Sequence, residues 1–218
     1  MSEIAPDGSP VLLYARLASF GAAALIHDAV PAESQILELG AGAGRITHEL
    51  IALGHEVVAV DNSSAMLAFV RGAETVLADM ETLNLERRFP AVVLASNFIN
   101  NPEAQSRRAF LECCARHVLP SGQVLMQGFP RDWTPNTEWS EHGNVRFRLR
   151  RYEMNGKLIS GEMQYEVEGQ ELFHVFESRL LTDEELDADL RAVGLRRKRT
   201  LDERGAWTEA VPRYLIGN

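Results

Sequence analysis

Residues 36–44 have the sequence ILELGAGAG, a short apolar run that ends in alternating glycines. The following residues, 46–53, have the pattern of a helix, and Gly54 comes next as a typical helix stop. Glycines after a strand let the backbone turn tightly and approach a ligand, and the helix that follows offers free N–H groups to a negative group. The pattern predicts a strand, a ligand-binding loop and a helix.

The loop differs from the fingerprint of dinucleotide-binding proteins, G-x-G-x-x-G. Arg45 occupies the position of the third glycine in that fingerprint, and Gly44 comes one residue early. Glu38 lies two residues before the glycines, where a carboxylate would repel a pyrophosphate and attract an ammonium group. The loop therefore favours a cofactor that carries an ammonium group over a nicotinamide dinucleotide.

Four further apolar runs follow along the chain, at residues 57–60, 76–78, 91–95 and 123–128. Short, nearly all-apolar strands that alternate with helices predict a parallel sheet covered on both faces. Ligands of such sheets bind beyond the carboxyl ends of the strands. Polar residues directly follow three of these runs: Asp61, Asp79 and the pair Ser96-Asn97.

The two aspartates suggest contacts with a nucleoside. Asp61 follows Gly40 at the spacing of roughly 20 residues that separates a glycine loop from a ribose-binding acid. Asp79 can accept a hydrogen bond from an adenine amino group, and Met66 and Met80 can sandwich the base. The alternatives are that both aspartates are only helix N-caps and that both methionines only fill the core.

These segments together resemble the class I S-adenosylmethionine-dependent methyltransferases. The segments that carry the resemblance are ELGAGAG at 38–44, residues 57–67, ADM at 78–80, residues 89–97 and the LPSG turn at 119–122. It is strong over about residues 35–129 and loose elsewhere. It implies an α/β, Rossmann-like sheet of seven strands, the last one antiparallel, that binds S-adenosyl-L-methionine and releases S-adenosyl-L-homocysteine.

The resemblance also implies which residues hold the cofactor. The glycine loop and Glu38 would hold its methionine part, the tip of the second strand its ribose, and the tip of the third strand its adenine. Tyr14 would close over the cofactor, although the tandem tyrosines common in the family are absent. The implied residues are Tyr14, Glu38, Gly40, Ala41, Gly42, Asp61, Asn62, Met66, Asp79, Met80 and Asn97; no metal ligand is among them.

Residues 145–180 alternate apolar and polar side chains and predict a three-stranded antiparallel insert. A three-residue loop at Asn155-Gly156-Lys157 aligns Arg146 and Arg150 with glutamates of the next strand, and a turn at Gly169-Gln170 leads into the third strand. The arginines are then one half of a solvated ladder of ion pairs, or alternatively a site for a substrate anion. Related small-molecule methyltransferases carry such a sheet over the active site.

His174 and Tyr165 are predicted to lie side by side on the apolar face of this insert. A histidine there can take a proton from an acceptor hydroxyl, so these two residues are the catalytic candidates. The alternative is a hydrogen-bonded core histidine. His142, in the loop after the fifth strand, is another candidate.

The chain has 218 residues and a formal net charge of −9, which argues against a nucleic-acid partner. Its two cysteines, Cys113 and Cys114, are neighbours, which excludes a disulfide framework and favours the cytoplasm. Neither a secretory signal nor a membrane span is expected. We expect one domain over residues 1–218, made of a helical cap (1–30), a cofactor-binding half (31–130), a loop and lid insert (131–181) and a final helix with a β-hairpin (182–218).

The sequence therefore predicts an enzyme that transfers a methyl group from S-adenosylmethionine to an oxygen or nitrogen of a small-molecule acceptor. No nucleic-acid or membrane partner is expected, and a homodimer stays open. The competing hypotheses are an NAD(P)-dependent oxidoreductase and a non-catalytic cofactor-binding protein of the same fold. Arg45 and Glu38 argue against the oxidoreductase.

Overall fold

The computed structural model describes residues 3–213. Its strands are β1 (Gln35–Leu39), β2 (Glu56–Asp61), β3 (Glu74–Leu77), β4 (Phe89–Leu94), β5 (Val118–Gln127), β6 (Ser140–His142), β7 (Val145–Asn155), β8 (Leu158–Val167), β9 (Gln170–Arg179), β10 (Leu195–Thr200) and β11 (Trp207–Pro212). Its helices are α1 (Val11–Tyr14), α2 (Ala22–Ala29), α3 (Thr47–Ala52), α4 (Ser64–Leu67), α5 (Ala104–His117) and α6 (Asp183–Ala192), with a 3-10 turn at Phe98–Asn100. No helix in this part of the chain is long and apolar enough to cross a membrane.

Seven of the described strands form one sheet in the order β3-β2-β1-β4-β5-β11-β10. Strands β1 to β5 pair in parallel, and β11 runs antiparallel to β5. This is the predicted class I methyltransferase sheet, with its last strand antiparallel. Because β1 lies between β2 and β4, the order of strands reverses there, and the loops after β1 and β4 diverge to leave a crevice.

Alternate residues of the central strands face opposite layers of helices. Leu37 and Leu39 pack in the core on the side of α5 and α6, whereas Ile36 packs in the core on the side of α2 and α3. Both faces are thus buried, which explains why β1, β2 and β4 are apolar along nearly their whole length.

The insert is a four-stranded antiparallel sheet, in the order β6-β7-β8-β9, and not the predicted three-stranded one. We call it the lid sheet. The additional strand, β6, pairs with the start of β7. It lies in a segment whose polar, turn-rich composition predicts a loop, and three residues are too few to show an alternating pattern.

The first hairpin of the lid sheet has a two-residue turn, at Gly156 and Lys157, instead of the predicted three-residue loop. A bulge at Arg150 then shifts the register by one residue and restores the predicted pairing further along. The predicted cross-strand ion pairs are present: Arg146 with Glu166 at 2.6 Å and Arg150 with Glu162 at 2.7 Å.

The second hairpin turns at Glu168 and Gly169, one residue earlier than predicted. Both residues have positive φ, 50° and 75°, as a two-residue I′ turn requires. His174 consequently lies opposite Met163 rather than opposite Tyr165. A shift of two residues leaves every side chain on its predicted face of the sheet.

The two ends of the chain contain a short first helix and the predicted final helix and hairpin. Helix α1 follows Pro10 and has only four residues, and the Ser9 hydroxyl before it donates to Asp7 Oδ2 at 2.8 Å. A capping box at Thr182 begins α6. The last strand, β11, starts at Trp207, and residues 214–218 of the predicted hairpin segment lie outside the described residues.

The N-terminal segment, residues 3–20, packs against both the glycine loop and the lid sheet. Leu13 is fully buried against Val145 and Val167 of the lid sheet, whereas Val11 packs with Ala43 of the glycine loop. This segment therefore covers the crevice at the carboxyl ends of the strands.

A pair of histidines joins α2 to the start of β2. His27 Nδ1 and His55 Nε2 lie 2.9 Å apart, and His55 Nδ1 accepts the backbone N–H of Ser34 at 3.1 Å. Burial, and then the neighbouring His27 ring, lower the pKa of His55 from its ordinary value. Folding thus favours the neutral form of His55.

We expect the free energy of unfolding to fall as the pH drops below about 6.5, because the unfolded chain binds a proton at residue 55 more readily than the folded protein does. In His55→Asn the amide oxygen can still accept the Ser34 N–H, but this titration is lost. Urea denaturation at pH 7.5 and at pH 5.5 gives the free energy of unfolding of the wild type and of the variant. Between these two pH values the variant should lose less stability than the wild type. An equal loss in both would assign the pH dependence to other groups.

Candidate active site

Two adjoining cavities lie at the carboxyl ends of the central strands. The smaller cavity, about 330 Å³, is bounded by the glycine loop, the tips of β2 and β3 and the N-terminal segment. The larger cavity, about 580 Å³, lies between the end of β4 and the lid sheet. The residues that line both are Asp7, Tyr14, Ser96, Phe98, Asn101 and His174. A ligand in one cavity is therefore next to a ligand in the other.

The smaller cavity brings together most of the predicted cofactor-binding residues. Those that line it are Tyr14, Gly40, Ala41, Gly42, Asp61, Asn62, Met66, Asp79 and Met80. Two predicted residues lie elsewhere: Asn97 lines the larger cavity, and Glu38 lies in the core below the loop.

Asp61 connects the tip of β2 to the glycine loop. Its Oδ2 accepts the backbone N–H of Gly42 at 2.8 Å, and its Oδ1 accepts that of Ser63 at 2.9 Å. Burial raises the pKa of Asp61, and the two backbone donors oppose this shift. The carboxylate has further lone pairs on the cavity side, which suits the acceptance of ribose hydroxyls. It is not a helix N-cap, because Ser63 caps α4.

The far end of the smaller cavity is suited to an adenine. Asn62 Nδ2 donates to Asp79 Oδ1 at 2.9 Å, so the exposed Asp79 carboxylate is held at the cavity wall. Met66 is almost fully buried against the N-terminal segment, whereas Met80 is only partly buried. Met66 therefore packs in the core and also forms part of the cavity wall.

Two glycines of the loop are needed for different reasons. Gly40 has a φ of 70°, and a Cβ there would collide with the ring of Phe98. Gly42 has a φ of 57°, and a Cβ there would meet no protein atom within 4 Å. The space beside Gly42 is thus open on the cavity side, as expected for a backbone that a ligand approaches closely.

Glu38 is only 2% exposed and accepts a hydrogen bond from the Thr47 hydroxyl at 2.6 Å. Burial raises its pKa to about 7, and the Thr47 hydroxyl and the Arg45 charge oppose this shift. A cationic group bound in the crevice would favour the ionised carboxylate. This arrangement agrees with the predicted role toward an ammonium group, although Glu38 itself does not line the cavity.

Arg45 is a site residue that the sequence analysis used only as evidence against a dinucleotide. Its Nη2 donates to the Ser96 hydroxyl at 2.9 Å, and its Nη1 donates to the Ser19 carbonyl at 3.4 Å. It is absent from the ion pairs of the described residues, and burial lowers its pKa. A partly buried guanidinium without a carboxylate partner, on the wall of a cavity, is suited to a ligand carboxylate.

The larger cavity contains both predicted catalytic residues. His174 lines both cavities, and Tyr165 lines the larger one. Burial lowers the pKa of His174 and raises the pKa of Tyr165 well above its ordinary value. The imidazole therefore stays neutral, with a lone pair that can accept a proton, and the phenol keeps its own proton. His142 is exposed on β6, packs against Phe20 with its ring tilted and lines neither cavity.

Several lining residues gave no signal in the sequence. Asp7 comes from a segment with no motif, and Phe98 comes from a 3-10 turn. Ser96 and Asn97, in contrast, are singled out by their position after an apolar run. They have φ of 57° and 59°, a backbone conformation that costs energy for residues other than glycine. Two such residues in succession at the end of β4 mark a constrained loop beside the site.

The sequence of residues 36–122 matches the family model of a methyltransferase domain. Residues 36–122 thus form a methyltransferase domain. No curated protein matches its sequence. The match confirms the predicted family and, with it, the enzyme class and the cofactor, S-adenosylmethionine. The roles of single residues in this methyltransferase stay predictions.

Solved structures of similar fold cover nearly all of this methyltransferase. The CcbJ methyltransferase from Streptomyces caelestis has a TM-score of 0.76 at 18% identity, over 98% of this chain and 100% of that one. CalS10, an amino pentose methyltransferase from Micromonospora echinaspora with bound S-adenosylmethionine, has 0.73 at 19%, over 92% and 94%. The sugar N-methyltransferase KedS8 from a Streptoalloteichus species has 0.71 at 17%, over 98% and 96%. At these identities the likeness shows the fold.

The glycine loop provides the first test of the smaller cavity. We expect Gly42→Val to abolish binding of S-adenosylhomocysteine, measured by calorimetry, because its side chain would fill the open space beside the loop. Gly54→Val is the matched control: Gly54 also has positive φ and an open Cβ position, but it lies at the end of α3, away from both cavities. The control should bind normally. Tight binding by Gly42→Val would mean that the loop is only a turn.

Arg45 provides the second test. We expect Arg45→Met to weaken S-adenosylhomocysteine binding about tenfold or more, the effect of one lost charged hydrogen bond. The affinity for 5′-methylthioadenosine, which lacks the amino-acid part, should stay unchanged. Asp61→Ala is the contrasting variant and should weaken both ligands, because both carry the ribose. Equal weakening of both ligands by Arg45→Met would contradict the assignment of Arg45 to the carboxylate.

Proposed function

We propose that the protein transfers the methyl group of S-adenosylmethionine to an oxygen or nitrogen of a small-molecule acceptor held in the larger cavity. The observation that carries this proposal is the wall that the two cavities share. Tyr14, Phe98 and His174 each border both spaces. A cofactor in the smaller cavity would then present its methyl group to an acceptor in the larger one.

The residues of the smaller cavity fit this cofactor part by part. Asp61 suits the ribose, Asp79 with Met80 suits the adenine, and Arg45 suits the carboxylate, while Glu38 supplies negative charge beneath the ammonium group. When bound, the cofactor supplies a methyl group activated by a sulfonium. The acceptor's lone pair would form a bond to the methyl carbon while the electron pair of the C–S bond stays with sulfur.

The protein's own contribution is to position the reactants, exclude water and accept a proton. The N-terminal segment and the lid sheet cover the crevice, and Phe147, Met163 and Phe176 give the larger cavity an apolar lid surface. The pKa of His174 is lowered by burial, so its imidazole can accept a proton from the acceptor. Tyr165 keeps its proton and is therefore proposed to orient the acceptor as a hydrogen-bond donor, not to act as a base.

The similar structures support a small acceptor. CalS10 is described as an amino pentose methyltransferase and KedS8 as a sugar N-methyltransferase. Arg146, Arg150 and Arg151 of the lid sheet are engaged in ion pairs with glutamates, which supports the solvated ladder over an anion site. Both cysteines are buried free thiols, which supports the cytoplasmic location as part of the proposal.

The function is tested by incubation with cofactor labelled on its methyl group and a metabolite extract, followed by recovery of labelled small molecules. Thermal shifts with S-adenosylhomocysteine, NAD and NADP complete the test, and only S-adenosylhomocysteine should stabilise the protein. Stabilisation by NAD or NADP would favour the oxidoreductase. Stabilisation by S-adenosylhomocysteine without any methyl transfer would favour a binding protein.

His174→Ala should lower turnover and leave the affinity for S-adenosylhomocysteine within about twofold, because His174 is placed to act on the acceptor. With a hydroxyl acceptor the loss should be about 100-fold or more and should shrink as the pH rises, since hydroxide and ionised acceptor replace the lost base. His142→Ala, on the exposed strand β6, is the control and should keep wild-type kinetics. Unfolding of His174→Ala would support the core-histidine alternative, and unchanged kinetics would remove His174 from the site.

A further inference from the structure

The ionisable side chains around the larger cavity are mostly acidic. Among the described residues, its carboxylates are those of Asp7, Glu138 and Glu177, its guanidinium is that of Arg148, and no lysine lines it. Arg148 is already engaged: its Nε donates to Gln164 at 2.8 Å, and its guanidinium carbon lies 4.6 Å from the centre of the Trp139 ring. A cationic acceptor would be attracted to this cavity and an anionic one repelled.

Aromatic rings form much of the remaining wall. They are Tyr14, Phe98, Phe129, Trp133, Phe147, Tyr165 and Phe176. The faces of such rings attract ammonium groups and also cover the apolar surface of a ring-shaped molecule. The wall is therefore suited to a ring-bearing acceptor with a positive charge.

His174 is the group in this wall that can receive a proton. No hydrogen bond to its ring nitrogens is present among the described residues, and the nearest ring, that of Tyr14, meets it edge-on at 6.3 Å between centroids. Burial lowers the pKa of His174, and the Asp7 carboxylate, which lines both cavities, opposes this shift. Asp7 would thus offset part of the cost of a proton that arrives on His174.

We propose that the acceptor is an amine on a ring-bearing small molecule, which enters the larger cavity as an ammonium ion and gives a proton to His174. The electron pair of the broken N–H bond stays on nitrogen and becomes the lone pair that attacks the methyl carbon. Asp7, Glu138 and Glu177 select the cation. This inference rests on the proposed function and names the acceptor class for the same cavity.

Binding of charge-matched probes tests the selection directly. Calorimetry with S-adenosylhomocysteine present would compare benzylamine, benzyl alcohol and benzoate, and then glucosamine, glucose and glucuronate. Within each set the ring stays the same and the charge changes. The amine should bind most tightly and the carboxylate least. An alcohol or carboxylate that binds as tightly as its amine would overturn the inference.

Replacing the glutamates that line the larger cavity by glutamines tests which residues select a cationic acceptor. Glu138→Gln and Glu177→Gln should each weaken amine binding by about threefold at low salt, as expected for one charge at several ångströms in water, and the effect should fade as salt rises. Alcohol binding should stay unchanged. Glu153→Gln removes the same charge from an exposed position of β7 that does not line the cavity, and it should have no effect. Equal losses for amine and alcohol would overturn the inference.

Methyl transfer separates this inference from the function on which it rests. With labelled cofactor and a library of paired amines and alcohols, we expect label on amines. Label on alcohols alone would overturn the amine assignment and keep the proposed function. No label on any compound, while S-adenosylhomocysteine still binds, would overturn both.

Discussion

The hydrogen bond between Asp61 and Gly42 joins the two loops on which the rest of the site depends. Strands β1 and β2 are parallel neighbours, so the glycine loop and the tip of β2 emerge at the same edge of the sheet. Asp61 accepts from Gly42 at 2.8 Å on one side and from Ser63 at 2.9 Å on the other, so one carboxylate fixes the loop and the start of α4. Burial opposes its ionisation, and the backbone donors offset that cost. The smaller cavity has its shape because these two segments are held together.

The N-terminal segment gives the crevice its cover. Leu13 is completely buried among lid-sheet residues, Val11 packs with the glycine loop, and Arg16 forms an ion pair with Glu168 in the turn between β8 and β9. Part of the buried surface therefore lies between the cover and the lid sheet, and does not belong to the central sheet. This arrangement covers the place where a methyl group is proposed to move.

The charges of the site follow from this layering. Arg45 and Glu38 are buried near each other, but they form no ion pair in the described structure. Burial opposes the charged form of both side chains. In a ligand that carries both an ammonium and a carboxylate group, the ammonium would compensate the charge of Glu38 and the carboxylate would compensate the charge of Arg45. In the lid sheet, burial shifts the pKa of His174 and the pKa of Tyr165 toward their neutral forms, so one becomes a proton acceptor and the other remains a donor.

Local sequence determined the parts of this protein that depend on short-range rules. The alternation of apolar runs with helices, the glycine loop and the acids at strand ends predicted the sheet, and the resemblance predicted its antiparallel last strand. Nine of the eleven predicted cofactor-binding residues line the smaller cavity. Turn geometry and register were harder: Glu168 adopts positive φ at the turn into β9, and a bulge at Arg150 restores the pairing of β7, neither of which has a local signature. Only the tertiary structure brought Asp7 and Phe98 to the crevice, joined Arg45 to Ser96 and left Glu38 beneath the loop, because burial and the meeting of distant loops depend on how the whole chain packs.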